Sequence, residues 1–151
     1  MRILFVTSKL TFESGGGSVP DLNLKARTLT DFGHAVSVLT VFKERNSELG
    51  TLPYTVLEEH VPARAPLLAV QKNIVRILRT HEASFDVFHI EGQFTYGAGL
   101  YRLLGGRIPV VVFCNREMPI WAPVAGVASS IKRALRIGIE RTLGSLLARS
   151  I

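Results

Sequence analysis

Short apolar runs alternate along this chain with longer stretches in which apolar side chains recur every three or four positions. The runs are rich in β-branched residues and too short for helices, so they predict buried strands at 3–7, 35–41, 54–57, 85–90 and 109–113. The recurring positions predict amphipathic helices from Ser18 to a stop at Gly33 and at 67–80, 94–104 and 128–150, with loops at 42–53 and 115–127. Apolar strands alternating with amphipathic helices favour a Rossmann-like, doubly wound α/β fold. Its sheet is expected to be mostly parallel, with helices on both faces.

Length and composition narrow the class of protein. A chain of 151 residues predicts one domain, spanning 1–151, and a hydrophobic fraction of 47% excludes an intrinsically disordered protein. The single cysteine, Cys114, excludes an intramolecular disulfide framework, and the four histidines show no metal-ligand spacing, so no metal site is expected. Neither a signal peptide nor an apolar run of about 18 residues is visible, and we expect a cytoplasmic protein.

The net charge of +6 is concentrated in two stretches. Segment 60–81 has four basic residues and no acidic one, and segment 118–151 has five basic residues and one acidic residue. A solvated helix face, a phosphorylated small molecule and an anionic membrane surface all explain such charge. No nucleic-acid-binding motif accompanies it, so nucleic acid is not expected. The basic residues proposed to face an anion or a membrane are Lys72, Arg76, Arg79, Lys132, Arg133 and Arg136. The helix at 67–80 is expected to turn the opposite face to the core, with Leu67, Val70, Ile74, Ile77 and Leu78.

The loop after the first strand is the first candidate binding site, because ligands of open α/β sheets bind beyond the carboxyl ends of the strands. This polar loop leads into the helix at Ser18 and ends in Gly15, Gly16 and Gly17. Bare backbone amides at a helix N-terminus suit an anion such as phosphate. The dinucleotide fingerprint fails because Pro20 stands where its third glycine would be, and no P-loop motif is present. A flexible turn is an equally good interpretation of the three glycines.

Polar residues also follow the fourth and fifth strands. His89 and Glu91 come at the end of the fourth, where a histidine beside a carboxylate can orient a hydroxyl or transfer a proton. A histidine that only bonds a neighbouring loop is the alternative. Directly after the fifth strand come Cys114, Asn115, Arg116 and Glu117. No base is identifiable for a thiol nucleophile at Cys114, and a lone cysteine is usually a small buried apolar residue. The three junctions converge on one edge of the sheet, which makes that edge the predicted site.

Four stretches of this sequence resemble the N-terminal domain of GT-B glycosyltransferases, in the large retaining group called family 4. The opening Met-Arg-Ile-Leu-Phe-Val-Thr with the glycine loop is similar to that family's first strand and loop. Residues 29–40, Leu-Thr-Asp-Phe-Gly-His-Ala-Val-Ser-Val-Leu-Thr, resemble its helix exit and second strand. Residues 85–92, Phe-Asp-Val-Phe-His-Ile-Glu-Gly, resemble a later strand end. So do Pro-Val-Val-Val at 109–112 with the Asn115 and Glu117 that follow.

The resemblance implies one half of a GT-B fold, whose active site lies in the cleft between two Rossmann-like domains. The nucleotide sugar would be a co-substrate, and no other cofactor is implied. Family members that act on lipid acceptors dock on membranes through basic and apolar surface, which implies peripheral contact with the inner face of the membrane here. By this resemblance the donor phosphates would lie near Gly15, Gly16, Gly17 and Ser18. The acceptor would lie near Glu91, Asn115 and Arg116, and the catalytic roles would fall to His89 and Glu117.

Two departures from the family pattern bear on activity. The histidine expected after the fifth strand is replaced by Cys114 or, in another register, by Asn115. Nothing in the sequence resembles the family's C-terminal domain, which carries most of the donor site, including a pair of glutamates. We therefore expect the acceptor-side domain of a hexosyltransferase with a sugar or lipid-linked acceptor, inactive alone and dependent on a separate donor-binding domain or subunit. The alternatives are a non-catalytic binding module of the same fold and another nucleotide-binding Rossmann-like domain.

Overall fold

A computed structural model describes residues 1–12, 18–47 and 50–113 of the chain. These ranges contain five strands: β1 Arg2–Thr7, β2 Ala35–Thr40, β3 Thr55–Glu58, β4 Val87–Glu91 and β5 Val110–Phe113. They also contain three α-helices: α1 Ser18–Asp31, α2 Leu67–His81 and α3 Thr95–Leu103. Short 3₁₀ turns lie at Lys43–Arg45 and Gly92–Phe94. The loop predicted at 115–127 and the helix predicted at 128–150 lie outside the described residues.

All five of these strands pair in parallel, in the order β3-β2-β1-β4-β5. Strand β1 is central: Phe5 lies opposite Val38 of β2 on one side and opposite His89 of β4 on the other. The strand order reverses between β1 and β4, because the chain crosses from β3 to β4 through α2. A reversal of this kind leaves a crevice at the carboxyl ends of the strands.

Helices cover both faces of the sheet. On one face, α1 packs Val19, Leu22 and Ala26 against the apolar side chains of β1 and β2. On the other face, α2 and α3 complete a larger core, whose members include Ile74, Ile77, Leu78, Phe88 and Tyr101. The structure therefore confirms the predicted Rossmann-like, doubly wound α/β fold.

Helices α2 and α3 approach each other closely at Gly97. A Cβ atom there would lie 2.6 Å from Cβ of Ile74 and 2.8 Å from the carbonyl oxygen of Gln71, so the packing requires glycine. The buried Gln71 side chain accepts a hydrogen bond from the Gly97 N–H at 2.7 Å and donates one to the Gln93 carbonyl at 3.0 Å. These contacts fix the start of α3 just beyond the carboxyl end of β4.

Strand β4 begins two residues later than the apolar run predicts. The run starts at Phe85, which is buried in the core without belonging to the strand. Asp86 instead holds the start of β1: its carboxylate accepts hydrogen bonds from the Arg2 backbone N–H and from Arg2 Nη2, both at 2.7 Å. The apolar side chain at position 85 thus indicates burial and not strand pairing. The strand therefore begins and ends later in the sequence than predicted.

Two further expectations are corrected by the structure. The predicted inner face of α2 does not include Leu67, which is 64% exposed because it lies in the first turn of the helix, beyond the core. The predicted loop at 42–53 contains the 3₁₀ turn Lys43–Arg45, and Phe42 forms an isolated bridge with His60. Neither the 3₁₀ turn nor the bridge has an apolar period that sequence reasoning could detect.

Candidate functional site

The carboxyl ends of β1, β4 and β5 and the first turns of α1 enclose a narrow cleft. Its position is the switch point between β1 and β4, where ligands of open α/β sheets bind. The structure therefore brings three of the sequence-predicted residues together in one place: Ser18, His89 and Glu91. The other residues lining the cleft are Phe5, Val6, Asp21, Leu22, Lys25 and Phe113.

His89 is the middle residue of β4, which corrects its expected position at the strand end. Its ring centroid lies 4.6 Å from that of Phe5 and 6.0 Å from that of Phe113, so the imidazole is flanked by two aromatic rings. Burial lowers the pKa of His89 below its usual 6.5, and the charge of Lys25 lowers it further, while Asp21 acts in the opposite direction. The imidazole is therefore neutral near pH 7 and able to accept a hydrogen bond.

Glu91 is the last residue of β4, and it holds the start of the loop that follows β1. Its Oε2 accepts hydrogen bonds from the Thr7 hydroxyl at 2.8 Å and from the Ser8 backbone N–H at 3.1 Å. The Gln93 side-chain amide donates a third, at 3.2 Å. Thr7 is only 1% exposed, so little water can replace this carboxylate as its partner. One oxygen of Glu91 is thus committed to the β1 loop, a role that the sequence pattern did not indicate.

Asn46 holds the same loop from its other side. Its Oδ1 accepts a hydrogen bond from the Leu10 backbone N–H at 2.8 Å. Its Nδ2 donates to Thr40 Oγ1 at 2.9 Å and to Glu58 Oε1 at 2.7 Å, at the ends of β2 and β3. The chain is therefore fixed by side chains on both sides up to Leu10. Beyond it, Gly15, Gly16 and Gly17 lie outside the described residues, whereas Ser18 is the first residue of α1.

Lys25 and Asp21 belong to the cleft, although sequence reasoning missed them. Lys25 Nζ lies 2.7 Å from Asp21 Oδ2 and 3.3 Å from the centroid of the Phe113 ring. The signal that could have found them is an acid and a base four residues apart, just after the glycine loop. Such pairs are common on exposed helix faces, so the spacing alone did not distinguish these two residues.

Besides Gly15, Gly16 and Gly17, six of the predicted site residues lie outside the part of the chain that the structure describes. They are Asn115, Arg116, Glu117, Lys132, Arg133 and Arg136. The proximity of the first three to the cleft, and the contact of the last three with an anion or a membrane, stay predictions.

The predicted basic surface of α2 lies on the opposite side of the sheet from the cleft. Arg76 Nη2 is 2.9 Å from Glu59 Oε2, and Arg79 Nη1 is 3.4 Å from Glu82 Oε2. Lys72 is exposed and makes no ion pair with any described residue. The basic surface of α2 is thus separate from the cleft. Of Lys72, Arg76 and Arg79, Lys72 alone is not paired with a described carboxylate.

No helix within 1–12, 18–47 and 50–113 has the length and apolar content needed to cross a membrane.

A second, more open groove lies at the amino edge of the sheet. Its main cation, Arg2, already donates to the carboxylate of Asp86 and to the carbonyl of Ala83. Ligands of parallel sheets are not expected at this edge. The carboxyl-edge cleft is therefore the better candidate.

Comparisons with known proteins find only distant structural likeness. No protein-family model matches this chain, and no curated protein matches it. Nine chains among solved structures do match. One is the C-terminal domain of a hydrogenase from Pyrococcus furiosus, at 15% identity and TM-score 0.40, over 74% of this chain and 89% of that domain. Another is the glycotransferase of kitacinnamycin, at 20% identity and TM-score 0.43. That match covers 98% of this chain and 38% of the glycotransferase. Likeness of this degree says nothing about activity.

Proposed function

We propose that this chain is the acceptor-side domain of a nucleotide-sugar-dependent glycosyltransferase, which transfers a hexose to a hydroxyl group. The observation that carries the proposal is the meeting of Ser18, His89 and Glu91 in one cleft at the carboxyl edge of the sheet. The resemblance of four sequence stretches to family 4 glycosyltransferases supports it. In this proposal the domain spans 1–151, and a separate donor-binding domain or subunit completes the active site.

Each side chain in the cleft has a chemistry suited to this role. The neutral His89 imidazole can accept a hydrogen bond from a sugar hydroxyl and take its proton as the new bond to the sugar forms. Glu91 Oε2 is occupied by Thr7 and Ser8, so its Oε1 is the atom offered to an acceptor hydroxyl. Ser18 stands at the start of α1, where backbone N–H groups and the helix dipole favour the diphosphate of the donor.

The remaining roles come from the resemblance alone. Asn115 and Arg116 would bind the acceptor, and Glu117 would take part in catalysis. Gly15, Gly16 and Gly17 would approach the donor phosphates. Peripheral contact with an anionic membrane through the basic surface of α2 belongs to the same proposal.

A non-catalytic binding module is the second candidate. It is favoured by the absence of a histidine at positions 114 and 115, which carry Cys114 and Asn115. Such a module would bind a sugar or nucleotide in the same cleft without turning it over. The two candidates therefore differ in turnover and agree on the place of binding.

Chemical-shift mapping tests the shared claim of binding. The ¹⁵N-labelled chain is titrated with UDP-glucose, GDP-mannose and an alkyl glycoside, and the same titrations are repeated with His89→Asn. We expect shifts at Thr7, Ser8, Ser18 and Glu91, and weaker binding of the glycoside by the variant. The control variant is His34→Asn, because His34 lies at the opposite edge of the sheet. Shifts confined to the amino edge, or no shift with any sugar, would refute the proposal.

Turnover separates the two candidates. The chain is mixed with the donor-binding domain of a GT-B glycosyltransferase, supplied as a separate polypeptide, and hydrolysis or transfer of the nucleotide sugar is measured. Transfer that depends on both components supports the enzyme. Binding of sugar without transfer in any mixture supports the non-catalytic module.

A further inference from the structure

Lys25 bridges α1 and the end of β5. Its ammonium group lies 3.3 Å from the centroid of the Phe113 ring, close enough for the negative face of the ring to attract the cation. Asp21, one helical turn earlier, holds the same ammonium at 2.7 Å. The Lys25 side chain is 33% exposed, so water and salt screen its charge only in part. Two independent contacts therefore fix a positive charge over the aromatic ring of β5.

The same ring neighbours the imidazole of His89. The ring centroids of Phe113 and His89 are 6.0 Å apart, and both residues line the cleft with Lys25. The charged groups facing His89 among the described residues are Lys25 and Asp21 from α1 and Glu91 from its own strand. Strands β1 and β5 present the apolar rings of Phe5 and Phe113. Lys25 is thus the cation of this cluster, and it is held in a defined place.

We propose that Lys25 is a positioning residue that adds to burial in favouring the neutral form of His89, so that the imidazole can accept a hydrogen bond from a ligand hydroxyl. A fixed positive charge disfavours a second positive charge on a neighbouring imidazole. A protonated imidazole has only donors and can take no proton from a hydroxyl. The role in ligand binding rests on the proposed function, whereas the electrostatic link between Lys25 and His89 does not.

Burial and the charge of Lys25 both lower the pKa of His89, and a substitution at Lys25 separates their effects. Burial is the larger cause of the lowered pKa of His89, and the charge of Lys25 is the next. Removal of the Lys25 charge should therefore raise the pH at which His89 titrates, without restoring the behaviour of an exposed histidine. Asp21 opposes Lys25 in this respect, but it also holds the ammonium in place.

An NMR titration of the free chain tests the link directly. The carbon-bound imidazole protons of His89 are followed against pH in the unmodified chain and in Lys25→Met, Lys25→Arg and Lys72→Met. In Lys25→Met the titration midpoint of His89 should move to higher pH. In Lys25→Arg it should stay near the original value, because a guanidinium also carries the charge and stacks on aromatic rings. Lys72→Met is the matched control, because Lys72 is exposed on the other side of the sheet and should have no effect.

Two results would overturn the proposal. One is an unchanged midpoint in Lys25→Met with an otherwise native spectrum. The other is an equal rise in Lys25→Met and Lys25→Arg, which would assign the effect to shape and not to charge. If Lys25→Met does not fold, the unmodified chain is titrated at low and high salt. Screening weakens the repulsion by Lys25 but leaves burial unchanged, so the midpoint should rise with salt, and a salt-independent midpoint would overturn the link.

No sugar is present in these titrations. A failure of the glycosyltransferase proposal therefore leaves their outcome untouched, and a failure of the Lys25 link leaves the sugar titrations to be judged on their own.

Discussion

Replacement of Glu91 by alanine should loosen the loop after β1 and destabilise the chain. The substitution removes the acceptor of three hydrogen bonds, two of which hold β1 and its loop: those from the Thr7 hydroxyl at 2.8 Å and from the Ser8 N–H at 3.1 Å. Water can reach the partly exposed Ser8, but the buried Thr7 hydroxyl loses its charged partner. A buried polar group left unsatisfied costs about 1–3 kcal/mol, and a hydrogen bond to a charged group contributes about 1.5–3 kcal/mol. Because these two figures describe the same loss, we expect the free energy of unfolding to fall by about 2–3 kcal/mol.

Urea unfolding followed by circular dichroism measures this change. The matched variant is Thr7→Val, which removes the hydroxyl and keeps the shape of the side chain. In the double variant, the loss should be smaller than the sum of the single losses by about 1–2 kcal/mol, because the two side chains bond each other. Strictly additive losses, or a change below about 0.5 kcal/mol in Glu91→Ala, would refute the assigned hydrogen bond.

Three further outcomes follow from the packing and the charges. Gly97→Ala should cost about 1–3 kcal/mol in the same assay, because the added methyl group would lie 2.6 Å from Cβ of Ile74. An unchanged urea midpoint would place α2 and α3 farther apart. Stability should also fall as the pH drops through 6.5, because the folded-state pKa of His89 is lower and the unfolded chain takes up the proton first. His89→Gln should flatten this part of the pH curve, and an unaltered curve would contradict the assignment. Lys72→Ala should reduce co-sedimentation with anionic vesicles more than Arg76→Ala, because Arg76 is already paired with a carboxylate at 2.9 Å. Unchanged co-sedimentation in both variants would contradict a membrane role for this surface.

The order and type of the described strands and α-helices could be predicted from the sequence. Apolar runs such as the one at 3–7 and helical periods such as the one at 67–80 report directly which side chains a sheet or helix must bury. A glycine also marked the end of α1. Gly33 has a φ of +82°, the left-handed conformation that ends the helix where the sequence predicts.

The contacts that build the cleft could not be predicted in the same way. Glu91 reaches Thr7 across 84 positions of sequence, and Lys25 meets Phe113 only because β5 is placed beside β4. A period or a motif describes neighbours along the chain, whereas these pairs depend on strand order. His89 was found because the sequence pattern placed it at a strand end, whereas the structure places it in the middle of β4. Its flanking by aromatic rings came from the structure alone.

The proposed function depends on the cleft at the carboxyl edge being the ligand site. The most direct test is a crystal structure of the chain with a bound glycoside acceptor. We predict a sugar hydroxyl within hydrogen-bond distance of the His89 imidazole and of Glu91 Oε1, at about 2.6–3.2 Å. A glycoside seated in the amino-edge groove beside Arg2 and His34, with the cleft at His89 empty, would contradict the claim.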